Sequence, residues 1–265
     1  MKKTRLVLGM TVWLALTGLC TGILFQGYAA AENQQKNVTI DARITLSVLI
    51  SLTENHIKKV EDSLAILSQM DATRSGDWNK IRPLLAEIQA SCIPGAFWFA
   101  LPDGSYYTTD KGLTGQTIKD REYFPGLMAG RKISYTLIVS KSTGRKSLVC
   151  ASPITKDGKV IGALGASLFL EELQETLKKE AQMPDDMIFY ALDNHGTTVL
   201  SWKNERTFLK PSLQGSKTMA MAAKEIVRNE SGTVEYEFQG QACRVIYQTS
   251  PLTGWHFALG HTLKK

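Results

Sequence analysis

The chain has 265 residues, of which 43% are hydrophobic and 21% are charged, and its formal net charge is +6. This composition is typical of a globular protein and excludes a disordered chain, a collagen and a many-pass membrane protein. Lys2, Lys3 and Arg5 lie in the first 31 residues, which contain no acid, so removing that segment lowers the net charge from +6 to +3. The sequence therefore lacks the electrostatic signature of a nucleic-acid-binding protein, and we expect no nucleic-acid partner.

The first 31 residues have the features of an export signal. A basic start is followed by an uncharged run from Leu6 to Phe25, and three alanines precede Glu32. This pattern describes a cleaved secretory signal, whereas the length of the run, close to the ~20 residues that span a bilayer, fits an uncleaved membrane anchor. Because the basic residues precede the apolar run, both alternatives direct the rest of the chain outward. The sequence predicts a periplasmic or other extracytoplasmic protein, secreted or tethered to the cytoplasmic membrane.

The four cysteines predict neither a metal site nor a unique disulfide. Lipid attachment at Cys20 is a weaker third form of tether, because Leu19 stands where a small residue is expected. Cys92, Cys150 and Cys243 allow at most one intramolecular disulfide, and both a Cys92–Cys150 pair and buried free thiols are open alternatives. The cysteines lack the clustered spacing of zinc ligands, so we predict no metal ion.

A long amphipathic helix is predicted from about residue 37 to residue 70. Apolar residues, with one threonine among them, recur at alternating spacings of four and three: Leu46, Ile50, Thr53, Ile57, Val60, Leu64 and Leu67. Such a stripe either packs along the chain's own domains or forms the seam of a coiled coil, and three heptads are too few to decide. A homodimer through this helix is therefore one predicted arrangement.

Strand patterns follow a second short helix, predicted from Trp78 to Ala90. An aromatic-rich apolar run at 96–101, a Pro-Asp-Gly turn and a second run at 105–109 predict a β-hairpin. Further strands are predicted at 134–139, 147–153 and 160–169, and a polar helix at 171–182 then leads to a second unit.

The second unit contains short matches to the first in the same order. Ala100-Leu101 matches Ala191-Leu192, Ser152-Pro153 matches Ser250-Pro251, and Ala163-Leu164-Gly165 matches Ala258-Leu259-Gly260, at offsets of 91, 98 and 95 residues. These offsets suggest a duplicated unit of about 95 residues. The predicted fold class is α+β, with a long N-terminal helix followed by two antiparallel-sheet modules. We predict a leader at 1–31, the two helices at 32–91, a first module at 92–182 and a second at 183–265.

Three motifs carry a family resemblance that covers nearly everything after the leader. They are Asp120-Arg121-Glu122-Tyr123-Phe124 with Met128-Ala129-Gly130, then Ser152-Pro153-Ile154 with Asp157-Gly158-Lys159-Val160-Ile161-Gly162, and finally Thr253-Gly254-Trp255. In this order they resemble the double Cache family, the tandem PAS-like extracytoplasmic sensor domains of bacterial receptors. The resemblance implies that both modules are PAS-like, that the first is membrane-distal and the second membrane-proximal, and that a small molecule such as an amino acid, organic acid or amine binds the distal module.

The resemblance also implies a ligand site at the first motif. Arg121 aligns with an arginine that grips a carboxylate, and Tyr123 and Phe124 align with aromatic residues that wall the pocket. A planar guanidinium suits bidentate binding of a carboxylate, and aromatic faces exclude water. The alternative is that Arg121 pairs with Asp120 or Glu122 on the surface.

Two departures from the family pattern argue against an α-amino acid as the ligand. Ser140 stands where amino-acid-binding members place an aspartate for the ligand's ammonium group, and Gln116 stands where they place a tyrosine. Serine and glutamine form hydrogen bonds but do not neutralise a cation. We therefore expect a small carboxylate or a neutral ligand. Tyr107 is predicted as a further wall of the pocket, with core packing as the alternative.

The sequence contains no pattern typical of an enzyme. GxSxG, HExxH, GxGxxG and P-loop motifs are absent, and the four histidines are scattered. We predict a non-enzymatic protein without a cofactor that binds and senses a small molecule. The two alternatives are a dimerisation module without a ligand and an exported hydrolase. Because no output domain is recognised after the second module, the prediction is a stand-alone sensor, which either acts on a membrane signalling partner or is a free-standing binder.

Overall fold

The structure is a computed structural model that describes residues 42–184, 186–213 and 216–263. Its helices are α1 (42–67), α2 (Asp71–Arg74), α3 (Trp78–Ser91), α4 (Phe124–Met128), α5 (Leu170–Glu180) and α6 (Lys217–Arg228), with 3₁₀ turns at Asn204–Arg206 and Pro211–Leu213. Its strands are β1 (Gly95–Ala100), β2 (Ser105–Thr108), β3 (Gly112–Thr117), β4 (Ile133–Val139), β5 (Lys146–Lys156), β6 (Lys159–Phe169), β7 (Ile188–Leu192), β8 (Thr198–Ser201), β9 (Ser231–Phe238), β10 (Gln241–Thr249) and β11 (His256–Thr262).

Helix α1 packs its apolar stripe against its own chain. All seven stripe residues are buried, including Thr53, whose hydroxyl donates a hydrogen bond to the Leu49 carbonyl at 2.7 Å. The internal bond satisfies the one polar member, so the stripe is buried without an unpaired hydroxyl. Of the two alternatives for this stripe, the structure has packing along the chain's own domains. The predicted beginning of the helix lies outside the described residues.

The first sheet has six antiparallel strands in the order β3-β2-β1-β6-β5-β4. The predicted hairpin is present as β1 and β2, with Trp98 opposite Thr108. All six residues of β1 are buried, because the sheet is covered on both faces. Strand β3 was not predicted, since Leu113 is its one large apolar residue and its sequence lacks apolar alternation.

The second sheet repeats this arrangement with five antiparallel strands in the order β8-β7-β11-β10-β9. In each sheet the last strand lies in the centre and pairs with the first strand, and Phe99 opposite Leu164 corresponds to Phe189 opposite Leu259. The observed architecture of a long helix and two PAS-like sheets confirms the predicted α+β fold class. The exact domain boundaries given above stay a prediction.

The shared topology corrects two of the three sequence matches. Ala100 pairs with Ala163, whereas Ala191 pairs with Phe257, so this match is out of register by one residue. A one-residue shift places a side chain on the opposite face of a sheet, so Ala100 and Ala191 are not equivalent.

The serine match fails for a similar reason. Ser152 lies within β5 opposite Leu164, whereas Ser250 lies in the turn beyond the end of β10. Only the glycine-containing match, which includes Leu164 and Leu259, occupies the same register in both sheets.

Alternation along the first strand of each sheet divides the core into two layers. Trp98 and Ala100 point to the face that α4 covers, whereas Phe99 points to the opposite face, where Trp78 of α3 stacks on it. In the second sheet, Ile188 and Tyr190 lie on the face that α6 covers. Among residues 42–184, 186–213 and 216–263, no helix is long and apolar enough to span a membrane.

Candidate functional site

The first motif forms a tight turn between β3 and α4. The Arg121 N–H donates to the Ile118 carbonyl at 3.0 Å, and the Phe124 N–H donates to the Arg121 carbonyl at 2.9 Å. Pro125 stands in the first turn of α4, where a residue without an N–H costs no intrahelical hydrogen bond. These constraints hold the side chain of Arg121 at the rim of the first sheet.

The guanidinium of Arg121 faces the end of β4 rather than a surface acid. Its Nη2 donates to the Val139 carbonyl at 2.7 Å, and its Nε is buried without a hydrogen-bond partner among the described residues. Asp120 pairs instead with Lys141 at 2.5 Å, and that hydrogen bond lowers the pKa of the Asp120 carboxyl. Arg121 forms no salt bridge with a carboxylate of the residues that the structure describes, and its Nε is an unpaired donor there.

Tyr123 and Phe124 are buried beside Arg121 and pack on the α4-covered face of the sheet. Tyr123 is 9% exposed and Phe124 is 5% exposed, and both belong to a cluster with Trp98 and Tyr106. Burial raises the pKa of Tyr123 to about 12, although Arg121 opposes the rise. The Tyr123 hydroxyl is therefore neutral at physiological pH and able to donate a hydrogen bond.

Ser140 lies directly after Val139, the residue whose carbonyl accepts the bond from Arg121. Its side chain is buried, and its hydroxyl lies 3.4 Å from the Ser142 hydroxyl. Its N–H donates to the Arg145 carbonyl at 2.9 Å, and its carbonyl accepts from the Gly144 N–H at 2.8 Å. Ser140 thus begins the turn between β4 and β5, next to Arg121.

The structure does not bring Tyr107 to this group. Its ring stacks on Trp78 with centroids 5.1 Å apart and on Phe99 at 6.2 Å, on the opposite face of the sheet. Its neighbour Tyr106 faces Tyr123 instead, and the Tyr106 hydroxyl donates to Gln116 at 3.2 Å. The sequence analysis missed Tyr106: alternation along β2 places the two tyrosines on opposite faces, and the pairing of β2 with β1 decides which of them faces Tyr123.

Two lysines tie the same turn to the segments around Arg121. Lys141 Nζ donates to the Thr117 carbonyl at 2.8 Å, and Lys111 Nζ donates to the Ser142 carbonyl at 2.7 Å. Together with Arg121 they connect the β2–β3 turn and the β3–α4 segment to the turn that begins at Ser140. The site is therefore closed by hydrogen bonds from cationic side chains to backbone oxygens, which are charge-assisted contacts.

A cavity of about 390 Å³ lies in the second module, at the end of the sheet near the start of β7. Aromatic and cationic side chains line it, among them Tyr190, Trp202, Lys203, Arg206 and Tyr236. Its size falls in the usual range for small-molecule sites. The sequence did not point to it, because its lining comes from strands and a 3₁₀ turn that are distant in sequence.

The cysteines and the acidic residues form no centre of their own in the described part of the chain. Cys92, Cys150 and Cys243 are free thiols, and burial raises the pKa of Cys150 to about 12. No group of three or more histidine, cysteine, aspartate or glutamate residues among those described could hold a metal ion.

Comparisons with known proteins agree with this architecture. The family model for the Cache domain matches residues 29–262. The Campylobacter jejuni chemoreceptor Tlp3 ligand-binding domain, solved with 4-methylisoleucine, shares 15% identity and a TM-score of 0.65, over 86% of this chain and 91% of that one. No curated protein matches the sequence.

Two further solved structures have the same fold. The V. cholerae histidine kinase DctB sensor domain shares 12% identity and a TM-score of 0.66, over 88% of this chain and 100% of that one. The Pseudomonas fluorescens chemoreceptor CtaA ligand-binding domain, solved with L-serine, shares 14% identity and a TM-score of 0.65, over 87% of this chain and 98% of that one. Identities this low establish the fold alone. With the family model matching most of its length, the chain belongs to the double Cache family.

Proposed function

We propose that this chain is an extracytoplasmic sensor that binds a small carboxylate in its first, membrane-distal module. Arg121 would hold the carboxylate, Tyr123 and Phe124 would wall the site, and Ser140 would donate or accept a hydrogen bond. The observation that carries this proposal is the buried Nε of Arg121, which has no partner among the described residues. A buried donor without a partner costs about 1–3 kcal/mol, and a bound carboxylate would recover that free energy.

The charges around Arg121 favour an anionic group without a neighbouring ammonium. Asp120, an acid close to Arg121, is already paired with Lys141, and Ser140 and Gln116 are uncharged. The related structures include Tlp3 with isoleucine and CtaA with L-serine, so amino acids are ligands of those proteins. For this chain an organic acid fits better, because Ser140 and Gln116, which stand where amino-acid-binding members place an aspartate and a tyrosine, carry no charge that would balance an ammonium group.

Strand β4 offers a route from this site to the long helix. Val139, near its end, accepts the hydrogen bond from Arg121, and Tyr135 on the same strand donates to Glu61 of α1 at 3.3 Å. Tyr135 has a φ of 61°, which is rare for a bulky residue, and its ring meets Trp255 of the second module edge-on at 6.5 Å. A ligand that competes for Arg121 would release β4 and change these contacts.

In this proposal α1 transmits the change to a signalling partner in the membrane. The chain is proposed to act as a stand-alone sensor, outside the cytoplasm, through such a partner. A homodimer through α1 would use the helix face opposite the buried stripe, where Val48 and Ile66 are exposed at 46% and 68%.

The test is isothermal titration calorimetry of the full chain with acetate, lactate and succinate, each compared with its uncharged amide. We expect at least one carboxylate to bind and its amide to bind on the order of tenfold more weakly, because the amide cannot form a charge-assisted pair. Arg121→Gln should weaken carboxylate binding by on the order of tenfold or more.

Arg131→Gln is the matched control, because Arg131 is an exposed arginine of the same module and is not part of the proposed site. It should leave the affinity unchanged. Carboxylate binding that survives Arg121→Gln at full strength would contradict the role of Arg121. A complete lack of carboxylate binding would contradict the proposed function.

A further inference from the structure

The cavity of the second module is separate from the site around Arg121. It is lined by residues of β7, β8, β9, β10 and β11 and of the 3₁₀ turn that follows β8, and none of them belongs to the first module apart from Lys178 of the connecting helix α5. An open depression of about 600 Å³ shares Lys203, Arg206, Phe238 and Gln239 with it. The shared residues give the cavity an opening toward solvent.

The walls of this cavity are aromatic. Tyr190 and Tyr236 come from the face that α6 covers, Phe189 packs against Trp202 with ring centroids 4.1 Å apart, and Phe238 borders the opening. Aromatic walls of this kind bury a flat or branched apolar group and fix its orientation.

The charges that line the cavity are mainly positive. Lys178, Lys203 and Arg206 line the cavity together with one described carboxylate, that of Asp186, and Glu205 lines the adjoining depression. The side chains of Lys203 and Arg206 form no salt bridge with any carboxylate in the described ranges, and Arg206 instead stacks on the Phe238 ring, with its Cζ 4.0 Å from the centroid. Stacking leaves the edge of a guanidinium free for two parallel hydrogen bonds.

Several polar groups at the walls carry hydrogen-bond donors. Trp202 lines the cavity, and its indole Nε1 is buried with no hydrogen-bond partner in the part of the chain that the structure describes. Burial raises the pKa of Tyr190 well above its usual value and that of Tyr236 to about 12, and Arg206 opposes both shifts. Both hydroxyls are therefore neutral and carry a proton, and the nearby Arg206 lies within electrostatic reach of both.

We propose that this cavity is a second ligand site, which takes a small carboxylate with an apolar body about the size of a single ring. The carboxylate would bind the edge of the Arg206 guanidinium, with Lys203 and the Trp202 N–H as further donors. The ring would pack against Tyr190 and Tyr236, whose hydroxyls interact with each other. Two sites in one chain would allow the sensor to respond to two compounds.

The test uses benzoate as the probe and benzamide as its uncharged match. The titrations are performed on the full chain carrying Arg121→Gln, so that the first module does not contribute. We expect saturable benzoate binding, with benzamide on the order of tenfold weaker. Arg206→Gln should weaken benzoate binding by on the order of tenfold, and Trp202→Phe, which keeps a ring but removes the donor, by about threefold.

Arg244→Gln is the matched control, because Arg244 is an exposed arginine of the same sheet that pairs with Glu235 at 2.6 Å. It should leave benzoate binding unchanged. If Arg206→Gln does not fold, Lys203→Gln replaces it, since Lys203 is exposed and its loss does not disturb packing.

Three results would contradict the second site. They are no benzoate binding to the Arg121→Gln chain, equal affinity for benzoate and benzamide, and unchanged benzoate affinity after Arg206→Gln or, where that variant does not fold, Lys203→Gln. None of them bears on Arg121, whose own test uses the chain with Arg121 intact. Failure of this proposal is therefore distinguishable from failure of the proposed function.

Discussion

The two modules have the same strand order and differ in the side chain opposite one equivalent glycine. Trp98 stands opposite Gly165 in the first sheet, and Ile188 stands opposite Gly260 in the second. The Trp98 ring is 3% exposed and covers Gly165, whereas Ile188 lines the cavity of the second module. Because interiors are close-packed, the size of this one side chain strongly affects how much space remains under the covering helix.

The modules also place an arginine in the same connection. Arg121 lies between the edge strand β3 and helix α4, and Arg206 lies between the edge strand β8 and helix α6. Neither forms a salt bridge with a described carboxylate, yet their surroundings differ: Arg121 bonds to the Val139 carbonyl, and Arg206 stacks on Phe238. The repeated backbone thus places an arginine in the connection between the edge strand and the following helix of each module. The side chains around it differ and determine its contacts.

The largest expected difference between the modules concerns the equivalent glycines. A Cβ on Gly260 would lie 2.0 Å from the Arg244 carbonyl oxygen, which is backbone and unable to move without disrupting the sheet. A Cβ on Gly165 would lie 2.1 Å from the Trp98 ring, a side chain. We expect Gly260→Ala to lower the free energy of unfolding by about 3 kcal/mol or more and Gly165→Ala by less, measured by urea denaturation.

Trp98→Val provides the control for this difference. It removes the ring that the methyl group added by Gly165→Ala would strike, so the cost of Gly165→Ala should fall to about zero in that background, measured as a double-mutant cycle. An undiminished cost in the Trp98→Val chain would show that the ring is not the obstacle.

A smaller difference is expected where each module is hydrogen-bonded to α1 or to the segment just after it. Ser250 donates to the Glu54 carboxylate at 2.7 Å, whereas the Ser152 hydroxyl lies 3.2 Å from the Ser68 hydroxyl, and Ser250 and Ser152 are both buried. A hydrogen bond to a charged group contributes about 1.5–3 kcal/mol and a neutral one about 0.5–1.5 kcal/mol. Ser250→Ala should therefore lower the free energy of unfolding, measured by urea denaturation, more than Ser152→Ala.

Glu54→Gln checks that the charge is responsible. Replacing the carboxylate with an amide should reduce the cost of Ser250→Ala, and the cost that remains includes the hydrogen bonds that Ser250 Oγ accepts from the Thr253 N–H at 3.0 Å and the Thr253 hydroxyl at 2.8 Å. Equal costs for the two serine variants in the wild-type background would contradict this explanation.

The smallest effect concerns Ile188, the side chain opposite Gly260 in the second sheet. Ile188→Trp would give the second module the residue that Trp98 supplies in the first, and the larger ring would occupy part of the cavity. We expect benzoate binding in the Arg121→Gln chain to weaken by about tenfold, a loss of about 1.4 kcal/mol, measured by calorimetry. Ile188→Val, which does not fill space, is the control and should bind benzoate as before.

Sequence patterns predicted the elements whose signals are local. The stripe from Leu46 to Leu67 predicted a buried helix face, and the Pro-Asp-Gly turn predicted the hairpin of β1 and β2. Strand β3 escaped prediction because an edge strand buries little and needs no apolar alternation. Two of the three repeat matches were out of register because short identities carry no information about cross-strand partners.

For the candidate site, residue types indicated which residues group together, but they did not indicate on which face of the sheet each side chain lies. Arg121, Tyr123 and Phe124 adjoin one another in sequence and in space, and Ser140 joins them through the bond from Arg121 to Val139. Tyr107 and Tyr106 are neighbours on one strand, and no local pattern stated which of them faces Tyr123. The face was decided by pairing with β1, where Phe99 is opposite Tyr107 and Ala100 is opposite Tyr106.

By itself the sequence determined the long helix, the two sheet modules and the family, because periodicity and turn residues act over a few neighbours. Tertiary structure decided that the helix stripe packs within its own chain, that Lys141 rather than Arg121 pairs with Asp120, and that a cavity opens in the second module. These outcomes depend on which distant side chains meet across strands and helices. These contacts are determined by the packing of the whole fold, and no short stretch of sequence predicts them.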